Sequence, residues 1–314
     1  SPTRHHELAQ THSKLTSRAT LDHAPWIAAA KADHLIQRSG FLHAFSDSTA
    51  FRSAGVRAER LLQEYGVRFA VLDGSALKKL EPGLRKTMAG AIHWLDPWTC
   101  HDPGALVASY ADLFRSRGGQ LLFGDAMTLA QGAGTWHVKT SDGSKAHARQ
   151  VVIAMGMRSA ELSSRLGLRV PLFPKRGYHL HLRVQHGPVR PFVDVASSAV
   201  LAPMSNGLRL LTGAEIARAG AITRPIQLER AKKAAEDLFD VGEPLDKEPW
   251  IGVRPCMPDM LPVLGALPGH EGLWANFGHG HQGFTLGPTT AHMLAAEMTG
   301  GAPIPRALSP SRKF

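Results

Sequence analysis

Hydrophobic and polar positions recur with two periods along this chain, and the switches between them mark the elements. Residues 3 to 37 are polar with intermittent apolar positions, a helical pattern, and Pro25 predicts a break within it. Gly40 to Phe45 reads as a strand. The helix predicted from about Thr49 to Tyr65 carries Phe51, Val56, Leu61 and Leu62 and is stopped by Gly66. Val67 to Leu72 is a second strand, and Ser75 is placed to cap a short helix through Leu80. The clearest helix starts at Asp102 as N-cap, with Pro103 in the first helical position. Leu106, Val107, Tyr110, Leu113 and Phe114 form its apolar face, and Gly118-Gly119 ends it.

Strand patterns then take over. Gln120 to Phe123 reads as a strand, followed by an alternating strand with Trp136 and Val138 and a turn at 141 to 144. The run from Val151 to Gly156 is apolar throughout, as a strand covered on both faces would be. Residues 175 to 215 offer several short strands separated by Gly and Pro. Leu228, Ala231, Ala235, Leu238 and Phe239 make one more amphipathic helix. Buried strands that end in glycine predict an α/β layer, and the 175 to 215 strands predict a second, antiparallel sheet, so the fold class is mixed α/β with two domains.

Composition narrows the function classes. With 314 residues, 43% hydrophobic and 20% charged, the chain falls among ordinary globular proteins. Its net charge of +10 is spread over single basic residues and pairs such as Lys78-Lys79 and Lys232-Lys233. A nucleic-acid binder would cluster that charge beside aromatic platforms, so none is expected as a partner. Attraction to anionic substrates, cofactor phosphates or an anionic membrane surface fits the charge equally well. Cys100 and Cys256 form neither a disulfide framework nor a metal-ligand spacing, which makes a reducing cytoplasm the default compartment, with peripheral contact at the inner membrane left open. No apolar run approaches the roughly 20 residues of a membrane span. The chain opens Ser-Pro-Thr without an initiator Met, and an N-terminal truncation is expected.

Chemistry concentrates between Trp274 and Gly283, where a short apolar run breaks into Gly278, Gly280 and Gly283 before a helix-like segment. The spacing is that of G-x-G-x-x-G, but the residues after Gly283 form no second βα unit with the acidic residue a dinucleotide fingerprint requires. The turn is therefore expected to close a cofactor site rather than open one. No metal site is expected: His6-Glu7 begins like H-E-x-x-H but meets Gln10, and His279 and His281 have no third ligand beside them.

Four segments in order together resemble the FAD-dependent amine and amino-acid oxidoreductases, the family of D-amino-acid dehydrogenases, glycine oxidases and sarcosine oxidases. They are Leu80-Glu81-Pro82, Val152 to Ser159, Pro174 to Leu180, and Gly252 to Asp259 running on to Pro262 to Gly265 and to the Gly278 to Gly283 turn. The dehydrogenase branch is nearest. The resemblance implies a Rossmann-like FAD-binding layer interleaved with an antiparallel substrate domain. That layer is incomplete, because such proteins begin with a strand, a glycine turn and a helix that seat the FAD pyrophosphate, and no such segment precedes Gly40. Residues 1 to 95 and 165 to 250 are expected to form the substrate domain, 96 to 164 and 251 to 305 the FAD domain, and 306 to 314 a tail.

Arg254 is the position that the resemblance makes a clamp for the substrate carboxylate, a role suited to the two parallel hydrogen bonds of a guanidinium. Pro255 restrains its backbone to extended conformations. Tyr178 is expected to close the substrate pocket, with His279 as a further substrate-binding candidate. His179 and His181 alternate with Leu180 and Leu182 and so share one strand face. Gly278, Gly280, Gly283, Phe284 and Thr285 are expected along the flavin, with Gly156 and Ser159 at the end of a buried strand and Met127 where relatives place a Val against the adenine. No side chain is assigned as catalytic acid or base, since hydride transfer to flavin asks mainly for placement. Flavin is expected to be non-covalent, because the position of the flavin-linking Cys in some sarcosine oxidases is Gly252 here. The implied substrate is a small amino acid, most nearly a D-amino acid, with oxygen or a quinone as electron acceptor. The alternative is a non-catalytic domain or a subunit that needs a partner to bind FAD.

Overall fold

A computed structural model describes residues 2 to 132, 134 to 216 and 221 to 314. The chain divides into two compact units, one of Ser1–Ala30, Ser109–Lys175 and Val253–Phe314, the other of Lys31–Ala108 and Arg176–Gly252.

In the first unit, strand Val151–Ile153 runs parallel to Leu273–Phe277, which pairs antiparallel with Val263–Ala266. A second, antiparallel sheet orders Gly124–Gly132, Thr135–Thr140 and Lys145–Ala148. Ile153, Val263, Leu273, Ala275 and Phe277 bury a common core with Trp136, Leu162 and Met257. Leu15 and Ala19 of the two N-terminal helices, Pro2–Thr16 and Ala19–Ala29, join Leu261, Leu264, Leu286, Leu294 and Leu308 in another. Residues 1 to 30, expected in the substrate domain, thus group with 109 to 175 and 253 to 314. The segment expected as a tail is also part of this unit: Leu308 is buried, and Arg312 binds Asp259.

The second unit is built on a ten-stranded sheet whose path runs Glu215–Ile216, Phe173–His186, Leu208–Leu211, Ala199–Pro203, Phe192–Asp194, Phe41–Phe45, Gly90–Trp94 and Phe69–Asp73. Strands Asp240–Pro244 and Trp250–Cys256 also pair with Phe173–His186. Tyr178, Leu180 and Leu182 bury one sheet face with Phe192, Leu201 and Leu210, under helix Ile226–Leu238. Glu81 of the Leu-Glu-Pro segment is fully buried and accepts from Arg190 Nη1 at 2.7 Å.

Local chemistry explains most element boundaries and several departures from expectation. Asp47 accepts from Ala50 N at 2.6 Å to start helix Ser48–Tyr65, and Gly66 ends it in the left-handed conformation. Asp102 caps helix Pro103–Ser116 through Ala105 N at 2.9 Å. The short helix Gly74–Leu80 is capped by Asp73 rather than Ser75, through Ala76 N at 2.8 Å. Pro25 lies inside Ala19–Ala29 and breaks nothing; the carbonyl it leaves without a donor belongs to Leu21, on the solvated side of the helix. The break falls at residues 17 and 18 instead. Gln120 to Phe123 form no strand, and Leu121, Leu122 and Phe123 are exposed. Val152 is 38% exposed, so one face of its strand is not covered and the apolar run from Val151 is covered only in part.

Candidate active site

Strand Leu273–Phe277 delivers the chain into the glycine turn, where Gly278 and Gly280 have a geometric reason and Gly283, with a helical backbone, has none. Gly278 and Gly280 adopt φ values of +80° and +61°, which side chains with a Cβ disfavour. A Cβ on Gly278 would also come within 3.0 Å of Met257 Cγ. The turn ends in helix Gly283–Met298, whose N-terminus has no side-chain cap. Gly283, Phe284 and Thr285 are exposed there, which turns the positive end of the helix dipole towards the surface.

Side chains from the N-terminal helices fix this turn from behind. His12 Nε2 donates to Gln282 Oε1 at 2.6 Å. His23 Nε2 donates to the Phe284 carbonyl at 3.1 Å, so its Nδ1 accepts from the Tyr110 hydroxyl at 2.9 Å. Burial pushes the His23 pKa below the ordinary histidine value, the protonation state that this pair of bonds requires. His279 also turns inward. The Thr290 hydroxyl donates to the Leu286 carbonyl, and His279 Nε2 donates to Thr290 Oγ1 at 3.1 Å. Burial alone lowers the His279 pKa to about 4, so the ring stays neutral and is engaged with the helix. In this structure the ring braces the turn from within through that bond.

Arg254 reaches the turn through the backbone. Cys256, two residues on, forms an antiparallel bridge with His279, and its Sγ lies 3.5 Å from where a Cβ on Gly280 would stand. Residues two apart on a strand share a face, so Arg254 is on the side of its strand that meets the turn. The guanidinium is half-buried and forms no ion pair among the described residues. The exposed His281 feels it: partial burial, then the charges of Arg254, His12 and Lys175, lower the His281 pKa. Gly156 ends the strand Val151–Ile153 with φ +56° and has open space beside its Cα. Ser159 is fully buried and accepts from Met155 N at 3.0 Å, a bond that shapes this turn from within.

The comparisons decide the family. The model of the DAO family, FAD dependent oxidoreductases, matches residues 3 to 297. The chain belongs to this family. It is 29% identical to a D-amino-acid oxidase of Bradyrhizobium diazoefficiens over 95% of this chain and 72% of that protein. It is 30% identical to a D-amino acid dehydrogenase of Paramagnetospirillum magneticum, over 84% of this chain and 64% of that one. Among solved structures, glycine oxidase from Geobacillus kaustophilus superposes with a TM-score of 0.79 at 20% identity, over 96% of this chain and 82% of that chain, and shows the same fold. Against these curated relatives, this chain spans 72% and 64% of their length.

For a DAO-family chain, the glycine turn fits the flavin. Positive-φ glycines that let the backbone approach closely, and a helix N-terminus without a side-chain cap, suit an isoalloxazine pyrimidine edge. The adenine end fits less directly. Met127 N donates to Asp125 Oδ1 at 3.0 Å and its carbonyl accepts from Arg165 Nη1 at 2.7 Å, so both backbone groups already have partners. Tyr178 has a buried ring in the core of the second unit, and its hydroxyl donates to Glu215 Oε2 at 2.5 Å. That bond, then burial, raises its pKa.

The opposite face of the Tyr178 strand carries polar groups that sequence reasoning missed. Arg209, directly across from His181, donates from Nε to His181 Nε2 at 3.1 Å, and His181 Nδ1 then donates to Asp246 Oδ2 at 2.9 Å. His179 stacks on Trp250 with ring centroids 4.6 Å apart. Burial, with the charges of Arg209 and His181, lowers the His179 pKa to about 4. The alternation of His179 and His181 with leucines was the available signal. Nothing in the sequence joins them to Arg209, Asp246 or Trp250.

Proposed function

We propose that this chain carries the substrate-oxidising site of an FAD-dependent enzyme that converts a small amino acid, most nearly a D-amino acid, to the imino acid, which water then hydrolyses to the 2-oxo acid. The observation that carries this reading is the Cys256–His279 bridge, which sets Arg254 beside the uncapped glycine turn. Arg254 binds the substrate carboxylate through its fork and fixes the α-carbon in one orientation. Bound FAD supplies the hydride acceptor. Gly278, Gly280 and the amides of Gly283, Phe284 and Thr285 hold its pyrimidine edge and stabilise negative charge developing there. The braces from His12, His23 and His279 keep those amides in place. Oxygen or a quinone reoxidises the cofactor, and the net positive charge suits peripheral contact with an anionic membrane; no helix among the described residues is long and apolar enough to cross one.

In the FAD-loaded protein, Arg254→Ala is expected to raise KM by about 30- to 1,000-fold, the worth of roughly 2–4 kcal/mol of charge-assisted bidentate binding. An unchanged KM removes the carboxylate clamp.

A second reading is that this polypeptide needs a further segment or a partner subunit to bind FAD. The unpaired edge of Val151–Ile153 and the exposed Leu121, Leu122 and Phe123, all in the first unit, favour it. An absorption spectrum separates the two: purified protein with flavin bands at about 450 nm supports the first, and protein that stays colourless with added FAD supports the second.

A further inference from the structure

Arg254 is not the only cation at this turn without a counter-charge. Lys175 lies on Phe173–His186, a strand paired with Trp250–Cys256, which carries Arg254. Its side chain is half-buried, and its ammonium stands 5.5 Å from the centre of the Phe173 ring. Among the described residues it forms no ion pair, and neither does Arg254. The carboxylate nearest in sequence to Arg254, Asp259, is already bound by Arg312. Lys175 and Arg254 both act on the same two groups, the Cys256 thiol and His281. The permanent charges acting on His281 are therefore Lys175 and Arg254, with no acid among the groups acting on it.

Two half-buried permanent cations on paired strands, acting on the same two groups, repel one another and have lost part of their hydration. An amino acid with one carboxylate satisfies only Arg254. Negative charge on a reduced flavin is met by the helix N-terminus at Gly283. That leaves Lys175, whose compact ammonium on a flexible stem suits a second carboxylate whose distance varies with the ligand. We infer that Lys175 is a second anion-recognising residue beside Arg254, and that the preferred substrates are dicarboxylic amino acids. This inference rests on the reading of Arg254 as the clamp for the α-carboxylate.

Calorimetric titration of the FAD-supplemented protein with D-aspartate, D-glutamate and D-alanine tests it, alongside steady-state oxidation of the same three. One or both dicarboxylates are expected to bind at least about tenfold more tightly than D-alanine, the worth of one good charge pair. Lys175→Met should erase that advantage and leave D-alanine binding and the flavin spectrum unchanged, while Lys175→Arg retains it. Arg254→Lys should weaken all three ligands. Equal binding of dicarboxylates and D-alanine by the unaltered protein overturns the inference, as does a Lys175→Met loss shared equally by all three. If D-alanine still depends on Arg254 in either of those cases, the parent reading stands. If no ligand binds, or none depends on Arg254, both fall.

Discussion

Removing the guanidinium of Arg312 should damage the fold far more than its place two residues from Phe314 suggests. Its side chain is 6% exposed and that of Asp259 4%. Nε donates to Asp259 Oδ2 at 2.9 Å, Nη1 to the carbonyls of Pro262 at 2.9 Å and Leu308 at 2.8 Å, and Nη2 to the Leu261 carbonyl at 2.8 Å. Arg312→Met fills much of the same volume but leaves a buried carboxylate with only the Leu261 amide, at 3.1 Å, and strips donors from three carbonyls. The expected cost is about 3–5 kcal/mol, the range for breaking one side of a buried ion pair. Asp259→Asn keeps an acceptor for both Leu261 N and the guanidinium, and should cost about 1–3 kcal/mol. Replacing both, as Arg312→Met with Asp259→Leu, should recover much of the loss, because the uncompensated charge is gone. Urea denaturation followed by tryptophan fluorescence measures all three. A cost below about 1 kcal/mol for Arg312→Met, or a double variant whose loss equals the sum of the single Met and Leu losses, refutes the account of a charge that is costly only when left alone.

Two further outcomes follow from the turn. Gly278→Ala should destabilise the protein by about 1–2 kcal/mol from the left-handed backbone, with Met257 forced to shift; a change under about 0.5 kcal/mol in the same denaturation assay contradicts the geometry. His279, with a pKa of about 4, stays neutral in the folded state, while its unfolded counterpart takes up a proton near pH 6.5. The unfolded state thus binds more protons between those values, and stability should fall as pH drops from about 6.5 towards 4, with a slope approaching 1.4 kcal/mol per pH unit from this residue. His279→Gln should flatten that slope relative to the unaltered protein, and an identical pH profile for the two would show that the ring is not the group responsible.

Much of this architecture was readable where a residue acts on its own backbone. Gly66 ends one helix, Asp102 and Pro103 begin another, and the glycines after Phe277 announce their turn, because capping and positive φ are local properties. Expectation failed where the deciding partner is distant or lacking. Leu121 to Phe123 has the apolar character of a strand, yet among the described residues no strand pairs with it. Alternation showed that His179 and His181 share a face and could not say whether theirs or that of Tyr178 is buried; helix Ile226–Leu238, packed on the Tyr178 side, settles it. Arg254 was singled out by family resemblance, and nothing in its own sequence context set it apart. His12 and His23 gave no signal, since their partners lie 270 and 261 positions along the chain.

Those two long-range bonds set an order of events during synthesis. Chains emerge from the ribosome amino end first, so the docking surface made by the opening helices exists well before its ligand does. The loop from Gly278 to Phe284 can gain these two braces only after residue 284 has been translated. Nascent chains halted before residue 284 would hold the opening helices without the partner that His23 binds.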